Sequence, residues 1–288
     1  EGNDLRVHEF FCKTGTSDIY LEGQILNIFN YLYFEDQNIT IKTKFRSKQL
    51  VLEDLLMTGG KSEEYSLKFA ETLKLDLDLQ VDRFMFKNFD ATTIKGDIQV
   101  SNGDIRANSV SLKADDGNFN GSFRIVKKPN GGHDLDGQLT ANSVNIHDFF
   151  ESCNNFSQSA LVAENINGVA SFKMQLSCAM SENLEIDLPS IAMQSHLTID
   201  NGNLKNYEPM LALSDYADMK ELKDVRFSSL SNNIEIVNSK VIIPKMIINS
   251  NVMDMELEGI HGFDNNIDYS IRLKLSDVLF AKRKNKNL

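Results

Sequence analysis

The stretch that decides the fold is Leu73–Phe86, which reads LKLDLDLQVDRFMF. Apolar side chains occupy every second position of its first part, at Leu73, Leu75, Leu77, Leu79 and Val81. Each of these is followed by a polar residue, in the order Lys74, Asp76, Asp78, Gln80 and Asp82. A period of two is typical of a β-strand with one dry and one wet face, and it excludes an amphipathic helix. The stretch therefore predicts a long antiparallel strand.

The same alternation recurs along the chain, in NITIKTKF (Asn38–Phe45), ASFKMQL (Ala170–Leu176) and IDYSIRLKL (Ile267–Leu275). Helical signals are few. The apolar spacing becomes irregular in Asn206–Val225, where Pro209 suits a first helical turn, and this predicts one or two short helices. The fold class is therefore mostly β, with long antiparallel strands and a few short helices.

One repeated unit consists of a strand, a tight turn and a returning strand. It occurs as IQVSNGDI (Ile98–Ile105), LTIDNGNL (Leu197–Leu204) and IEIVNSKV (Ile234–Val241). Asn-Gly adopts the positive φ angles of a two-residue hairpin turn, so each copy predicts a hairpin. Because Ser239 replaces Gly in the third copy, we expect a wider turn there.

The third copy opens a longer run, Ile234–Leu257, which predicts three strands. Its turns are expected at Asn238-Ser239 and at Asn249–Asn251, where polar residues interrupt the alternation of Ile, Val and Met. Nothing in this run suggests catalysis, so its apolar face is expected to meet either another sheet or a lipid tail.

A second unit ends a strand in adjacent apolar residues, as LVLEDLL (Leu50–Leu56), VNIHDFF (Val144–Phe150) and LKLSDVL (Leu273–Leu279). This pattern predicts a strand that runs into a short helix. The Asp of each copy is expected to cap that helix, at Asp54, Asp148 and Asp277.

Composition narrows the classes of partner. The 288 residues carry a formal net charge of -11, which repels a phosphate backbone and argues against nucleic acid. The basic run at 282–286 is interpreted as a solvated tail.

No apolar run reaches the ~18 residues of a membrane span, and the N-terminus does not resemble a signal peptide. We interpret the chain as a fragment of a longer protein whose anchor lies upstream.

No pattern in the sequence indicates chemistry. The five His residues form no HExxH or HxH pair, and no nucleophile elbow or phosphate-binding loop occurs. His147 and Cys153 lie close in sequence but lack two further ligands nearby. The carboxylate pair Asp76 and Asp78 is expected on a solvated face. We therefore predict no catalytic residue, no metal site and no cofactor, and the disulfide state of the three cysteines stays open.

The run ATTIKGDIQVSNGDIRANSVSLKADDGNFNGSFRI (Ala91–Ile125), with its alternating Gly and Phe at Gly117–Phe123, resembles the C-terminal region of the AsmA family. The run Val225–Leu279 is similar to the terminal part of AsmA-like proteins of bacteria with two membranes. The resemblance covers Thr72–Leu279 best. It rests on patterned strands and turns, with no catalytic signature.

The resemblance implies a periplasmic part of an inner-membrane protein of a Gram-negative cell. It also implies a sheet curled into a taco-shaped groove, similar to bridge-like lipid transfer proteins, and a role in phospholipid transport and outer-membrane biogenesis. The membrane contact would run through the upstream anchor that this chain lacks. We divide the chain into an N-terminal β segment with a short helix (1–60) and an AsmA-like β-groove region (61–288).

The functional hypothesis is non-enzymatic accommodation of the acyl chains of phospholipid or another lipid on the apolar strand faces. The predicted lining residues are Leu75, Leu77, Leu79, Val81, Ile98, Val100, Leu197, Ile199, Met253, Met255, Leu257, Ile271, Leu273 and Leu275. The alternative is a structural module with a closed β core that assists outer-membrane protein assembly by contacting other envelope proteins. A glycan-binding or hydrolytic protein is less favoured, because the chain has no Trp platform.

Overall fold

The computed structural model describes residues 2–56, 70–129, 131–182 and 185–274. In these residues fourteen strands form one sheet, and each strand lies beside the next one along the chain. The pairing is largely antiparallel, with β3 and β4 parallel. The mostly-β prediction with a few short helices is confirmed.

The strands are β1 (Leu5–Thr14), β2 (Ser17–Leu26), β3 (Ile39–Val51), β4 (Leu73–Phe86), β5 (Phe89–Ser101), β6 (Asp104–Ala114), β7 (Gly117–Lys127), β8 (His133–Asn145), β9 (Ile166–Met180), β10 (Ala192–Lys205), β11 (Asp224–Val237), β12 (Lys240–Asn249), β13 (Asp254–Gly262) and β14 (Ile267–Leu273). The α-helices are α1 (Ile28–Tyr33), α2 (Leu52–Leu56), α3 (Ile146–Ser152), α4 (Glu208–Leu211) and α5 (Met219–Leu222). Single 3₁₀ turns occur at Asn154–Ser157, Ala163–Asn165 and Leu188–Ser190.

The strand predicted at Leu73–Phe86 is β4, with the same bounds. Its prediction as antiparallel is right for one neighbour only. Leu77 faces Ile98 of antiparallel β5 and Thr43 of parallel β3. A parallel neighbour requires a long crossover connection, and the residues between Val51 and Leu73 provide one.

Two of the three predicted hairpins form. Asn102-Gly103 joins β5 to β6, and Asn238-Ser239 joins β11 to β12. The wider turn expected at Ser239 is wrong, because Asn238 and Ser239 both adopt positive φ (51° and 59°) in a two-residue turn. The three strands predicted in Ile234–Leu257 are confirmed as parts of β11, β12 and β13.

The hairpin predicted at Asn201-Gly202 is wrong, because β10 continues through it and stays paired with β11 up to Lys205. A Cβ on Gly202 would lie 2.1 Å from the ring of Phe227 on β11. This glycine therefore allows a side chain to approach the backbone closely, which is the other common reason for Gly within a strand.

The strand-to-helix prediction is confirmed where β3 leads into α2 and β8 into α3, whereas the third copy lies largely outside the described residues. The predicted caps are corrected. Asn145 caps α3, accepting bonds from the backbone N–H groups of His147 and Asp148. Asp54 lies in the first turn of α2, and its carboxylate accepts bonds from the β1–β2 turn instead. Asp277 is outside the described residues.

Two compact units are distinguished by their contacts. Unit 1 comprises Glu1–Ala114, Asn118–Thr140 and Gln175–Ile191, and unit 2 comprises Asp115–Gly117, Ala141–Met174 and Ala192–Leu288. The predicted boundary at residue 60 lies outside the described residues.

Each unit buries its own set of apolar side chains. In unit 1 the buried set includes Val81, Ala91, Ile94, Val100 and Ile105. In unit 2 it includes Met210, Leu222, Val225, Met253, Met255 and Leu257. The short helices predicted in Asn206–Val225 are α4 and α5, with Pro209 in the first turn of α4 as expected. The predicted curl of the sheet into a groove stays a prediction.

Candidate functional site

The candidate site in unit 1 is the apolar face of β1–β6. Residues that are paired across neighbouring strands project to the same face of a sheet. Cross-strand pairing connects one apolar residue on each of six strands into a continuous row, which runs through Leu5, Ile25, Ile41, Leu75, Val100 and Ile105. We call this set the unit-1 row. In β4 and β5 the alternation repeats the apolar character two residues away, at Leu77 and Ile98, whereas β2 and β3 carry Gly23 and Thr43 in the corresponding positions.

Burial changes along the unit-1 row. Val100 and Ile105 are buried, Ile25, Ile41 and Leu75 are half-buried, and Leu5 is exposed. Among the other predicted lining residues of this unit, Leu77, Leu79 and Ile98 are half-buried and Val81 is buried. The structure therefore brings the six predicted residues of β4 and β5 together on one face, of which four remain partly accessible.

The opposite face of the same strands is charged. Arg46 pairs with Asp78 at 3.0 Å, and Lys44 with Glu22 at 3.6 Å. Asp76 and Asp78 are exposed, as predicted. A depression of about 480 Å³ is lined by charged residues of both signs, including Arg6, Glu22, Lys42, Lys44, Asp76, Asp78 and Asp97, and also by Val7, Leu77 and Ile98. Exposed ion pairs of this kind contribute little stability and mainly keep the face wet.

The predicted residues of unit 2 have a different environment. Met255 pairs with Leu273 and Leu257 with Ile271, so these four share a face. Tyr269 lies on that face as well, two residues before Ile271, and its hydroxyl is hydrogen-bonded to that of Tyr207 at the start of α4. Burial, the neighbouring Tyr269 and this hydrogen bond raise the pKa of Tyr207. Tyr207, which precedes α4, thus contacts this apolar face at Tyr269.

Most of the predicted lining in unit 2 is consequently packed interior. Met253, Met255, Leu257 and Ile199 are buried, while Leu197, Ile271 and Leu273 are half-buried. Leu275 lies outside the described residues. The predicted set separates into a partly accessible group in unit 1 and a largely covered group in unit 2.

A possible cation site that the sequence interpretation missed lies on α3. One ligand atom each of His147, Asp148 and Glu151 lies within 4.8 Å of the others. The Nδ1 atom of His147 is 2.8 Å from the carbonyl oxygen of Ala163, which leaves Nε2 facing Glu151 at 3.7 Å. These residues could hold a divalent cation such as Zn²⁺. The signal was the His-x-x-x-Glu spacing on a predicted helix.

Cys153, which sequence proximity associated with His147, does not belong to this group. Burial raises the pKa of its thiol to about 11, so it stays protonated at neutral pH. All three cysteines, Cys12, Cys153 and Cys178, are free.

One polar set on β10 and β11 has the order of a nucleophile, a base and an orienting residue. The Nδ1 atom of His196 lies 2.8 Å from Oδ1 of Asn233, and its Nε2 atom lies 3.5 Å from Oγ of Ser231. Strand register accounts for this arrangement, because His196 faces Asn233 and Thr198 faces Ser231 across the two strands. All four are on the polar face, and the Thr198 hydroxyl donates to Ser231. We therefore interpret the set as cross-strand polar pairing.

Within the residues described, no helix is both long and apolar enough to cross a membrane. In the comparisons with known proteins, no family model, no curated protein and no solved structure matches this chain.

Proposed function

We propose that this protein is a non-enzymatic, periplasmic part of an AsmA-like envelope protein that accommodates lipid acyl chains on the apolar face of unit 1. Phospholipid is the expected cargo, and phospholipid transport and outer-membrane biogenesis are the expected processes. The observation that carries the proposal is the unit-1 row, which continues across six strands and stays partly accessible from β1 to β4.

Acyl chains suit this surface because they require continuous apolar contact and almost no hydrogen-bonding partners. Apolar surface left in water costs about 25 cal/mol per Å², so an accessible row of this length favours an occupant. The predicted curl of the sheet belongs to this proposal, since a curved face touches an acyl chain on more than one side.

Native mass spectrometry of the purified chain, after incubation with mixed phospholipid vesicles, tests the proposal. We expect bound phospholipid on the wild type and at least tenfold less on Leu77→Asp, because a carboxylate on the same face, two residues from Leu75 of the row, opposes acyl-chain contact. Gln80→Asp is the matched control. It adds the same charge to the wet face of β4, next to Arg46 and Lys95, and should retain the lipid.

The proposal is wrong if Leu77→Asp remains folded by circular dichroism and carries the wild-type lipid load. An absence of lipid on every variant would instead favour the alternative, a module that binds other envelope proteins. That alternative is supported by β1, which lies at the end of the strand order and exposes Phe10 and Phe11. An edge strand of this kind can accept a strand from a partner.

A further inference from the structure

The helix α1 presents an uncharged aromatic surface to solvent. It lies in the run NIFNYLYF (Asn27–Phe34), and none of its residues is buried. Five large apolar side chains of the run are exposed, at Phe29 (48%), Tyr31 (38%), Leu32 (64%), Tyr33 (77%) and Phe34 (65%). We call these five residues the α1 patch. Contiguous exposure of this kind marks an interaction surface, whereas isolated exposed apolar residues do not.

The α1 patch is held in a fixed position by a set of asparagines. Oδ1 of Asn3 accepts a hydrogen bond from the backbone N–H of Asn30 (3.1 Å), and the carbonyl oxygen of Asn3 accepts one from Ile28 (3.0 Å). Oδ1 of Asn27 accepts bonds from the side chains of Asn3 and Asn30. The first turn of α1 is thus capped by a residue from before β1. The exposed side chains of the α1 patch are therefore carried by a helix whose backbone is held in place.

The helix also lies beside the unit-1 row, next to the members of the row on β2 and β3. It connects β2 to β3, and the last residues of β2 pair with the first residues of β3, Ile25 with Ile41 and Leu26 with Thr40. Ile25 and Ile41 belong to the unit-1 row. An apolar surface that enters a bilayer at α1 would therefore bring the bilayer close to Ile25 and Ile41 of the row.

Charge distinguishes between the possible occupants. The run from Asn27 to Phe34 contains no charged residue, and the carboxylates next to it are Asp4, which accepts a bond from the backbone N–H of Asn27, Glu35 and Asp36. Contact between two copies through the α1 patch would bring these carboxylates together. Anionic lipid headgroups would also be repelled, both by them and by the net charge of -11. A zwitterionic phospholipid surface carries no such penalty, and Tyr and Phe suit its interface.

We propose that α1 inserts the α1 patch into the headgroup–acyl boundary of a zwitterionic phospholipid bilayer and so docks unit 1 on the membrane. The inference rests on the proposed function, because it identifies the surface from which the unit-1 row would receive lipid.

A single introduced tryptophan tests the insertion, because the chain contains no Trp. In Tyr33→Trp the probe lies in the α1 patch, and in the control Tyr216→Trp it lies at an exposed position of unit 2. With phosphatidylcholine vesicles we expect a blue shift of emission and quenching by brominated lipid for Tyr33→Trp, and neither effect for the control. The same signals from both variants, or none from Tyr33→Trp, would overturn the proposal.

Vesicle co-sedimentation of Phe29→Ser/Leu32→Ser gives a second readout. Removal of two exposed apolar side chains should lower the partition coefficient on phosphatidylcholine at least tenfold, since a factor of ten corresponds to 1.4 kcal/mol. The fold should persist because neither side chain is buried. Wild-type binding should weaken when phosphatidylglycerol is added, and high salt should reverse that loss. Unchanged partitioning of the double variant, or tighter binding to the anionic vesicles, contradicts the inference.

Two further measurements separate the outcomes. Direct loading of a soluble fatty acid onto the double variant should remain at the wild-type level, because the unit-1 row is intact. If loading fails in the wild type while Tyr33→Trp still inserts, the proposed function is wrong and the docking surface stands. If light scattering shows a wild-type dimer that the double variant loses, the α1 patch is a contact between copies, and membrane docking is wrong.

Discussion

The two units carry the same alternation of apolar and polar residues, but they differ in what lies over the apolar face. In unit 2 Tyr207 contacts Tyr269 on the face that also carries Met255 and Leu257, and Met255, Leu257, Met210 and Leu222 are buried. In unit 1 no residue of α1 is buried, and Leu77 on the apolar face is half-buried. Alternation of apolar and polar residues therefore identifies an apolar face. The residues that pack on that face determine whether it is interior or solvent-accessible.

The short helices are also attached differently. In unit 1, α1 is held by asparagines, and α2 by Asp54, whose carboxylate accepts bonds from Ser17 Oγ (2.8 Å) and from the backbone N–H groups of Thr16 and Ser17. In unit 2, α4 and α5 are held mainly by burial of apolar side chains. Because α1 is held by hydrogen bonds, its apolar side chains remain accessible to another partner. The apolar side chains of α4 and α5 that are buried are not accessible in this way.

The largest expected difference in the free energy of unfolding is between two truncations of apolar residues, Met255→Ala in unit 2 and Leu77→Ala in unit 1. Met255→Ala should lower the free energy of unfolding by about 2–5 kcal/mol, because it leaves a cavity in a packed interior. Leu77→Ala in delipidated protein should cost about 1 kcal/mol, because the side chain is already partly hydrated. Urea denaturation measures both. Equal losses would mean that the unit-1 face is covered as well.

A smaller effect is expected from Asp54→Asn, which weakens the attachment of α2 by about 1–2 kcal/mol. Hydrogen bonds from Ser17 and Thr16 lower the pKa of Asp54 below 3.8. Its ionised form therefore stabilises the fold fully above the unfolded pKa, and this contribution is lost as the pH falls through the folded pKa. The difference between wild type and Asp54→Asn in denaturation midpoint should vanish in acid. A difference that persists there would argue against the charge as its cause.

The smallest expected effect is that of Tyr207→Phe, about 1 kcal/mol from loss of the hydroxyl bond to Tyr269. The raised pKa of Tyr207 means that its contribution is complete below the unfolded pKa of 10.0 and is lost as the pH rises through the folded pKa. Thermal denaturation at increasing alkalinity should thus bring wild type and Tyr207→Phe closer together. If the gap between them widens, Tyr207 does not cover the unit-2 face as described.

Local chemistry allowed much of the fold to be predicted. The bounds of β4, the turns at Asn102-Gly103 and Asn238-Ser239, and the short helices after Asn206 all follow from periodicity and turn residues. The prediction failed at Asn201-Gly202, where the reason for glycine is the ring of Phe227 on another strand. It also missed the His147, Asp148 and Glu151 group, although the spacing of His147 and Glu151 on the predicted helix α3 was a local signal for it.

The sequence by itself determined which residues form strands and which face of each strand is apolar, because a period of two is a property of the extended backbone. Only the tertiary structure decided that β4 has a parallel neighbour in β3, since alternation identifies the faces of a strand and not the direction of the strand beside it. It also decided which apolar faces are covered. Met255 is buried while Leu77, with the same local alternation, is half-buried, and Tyr33 is exposed on a helix that asparagines hold by its backbone, so none of these could be read from the local pattern.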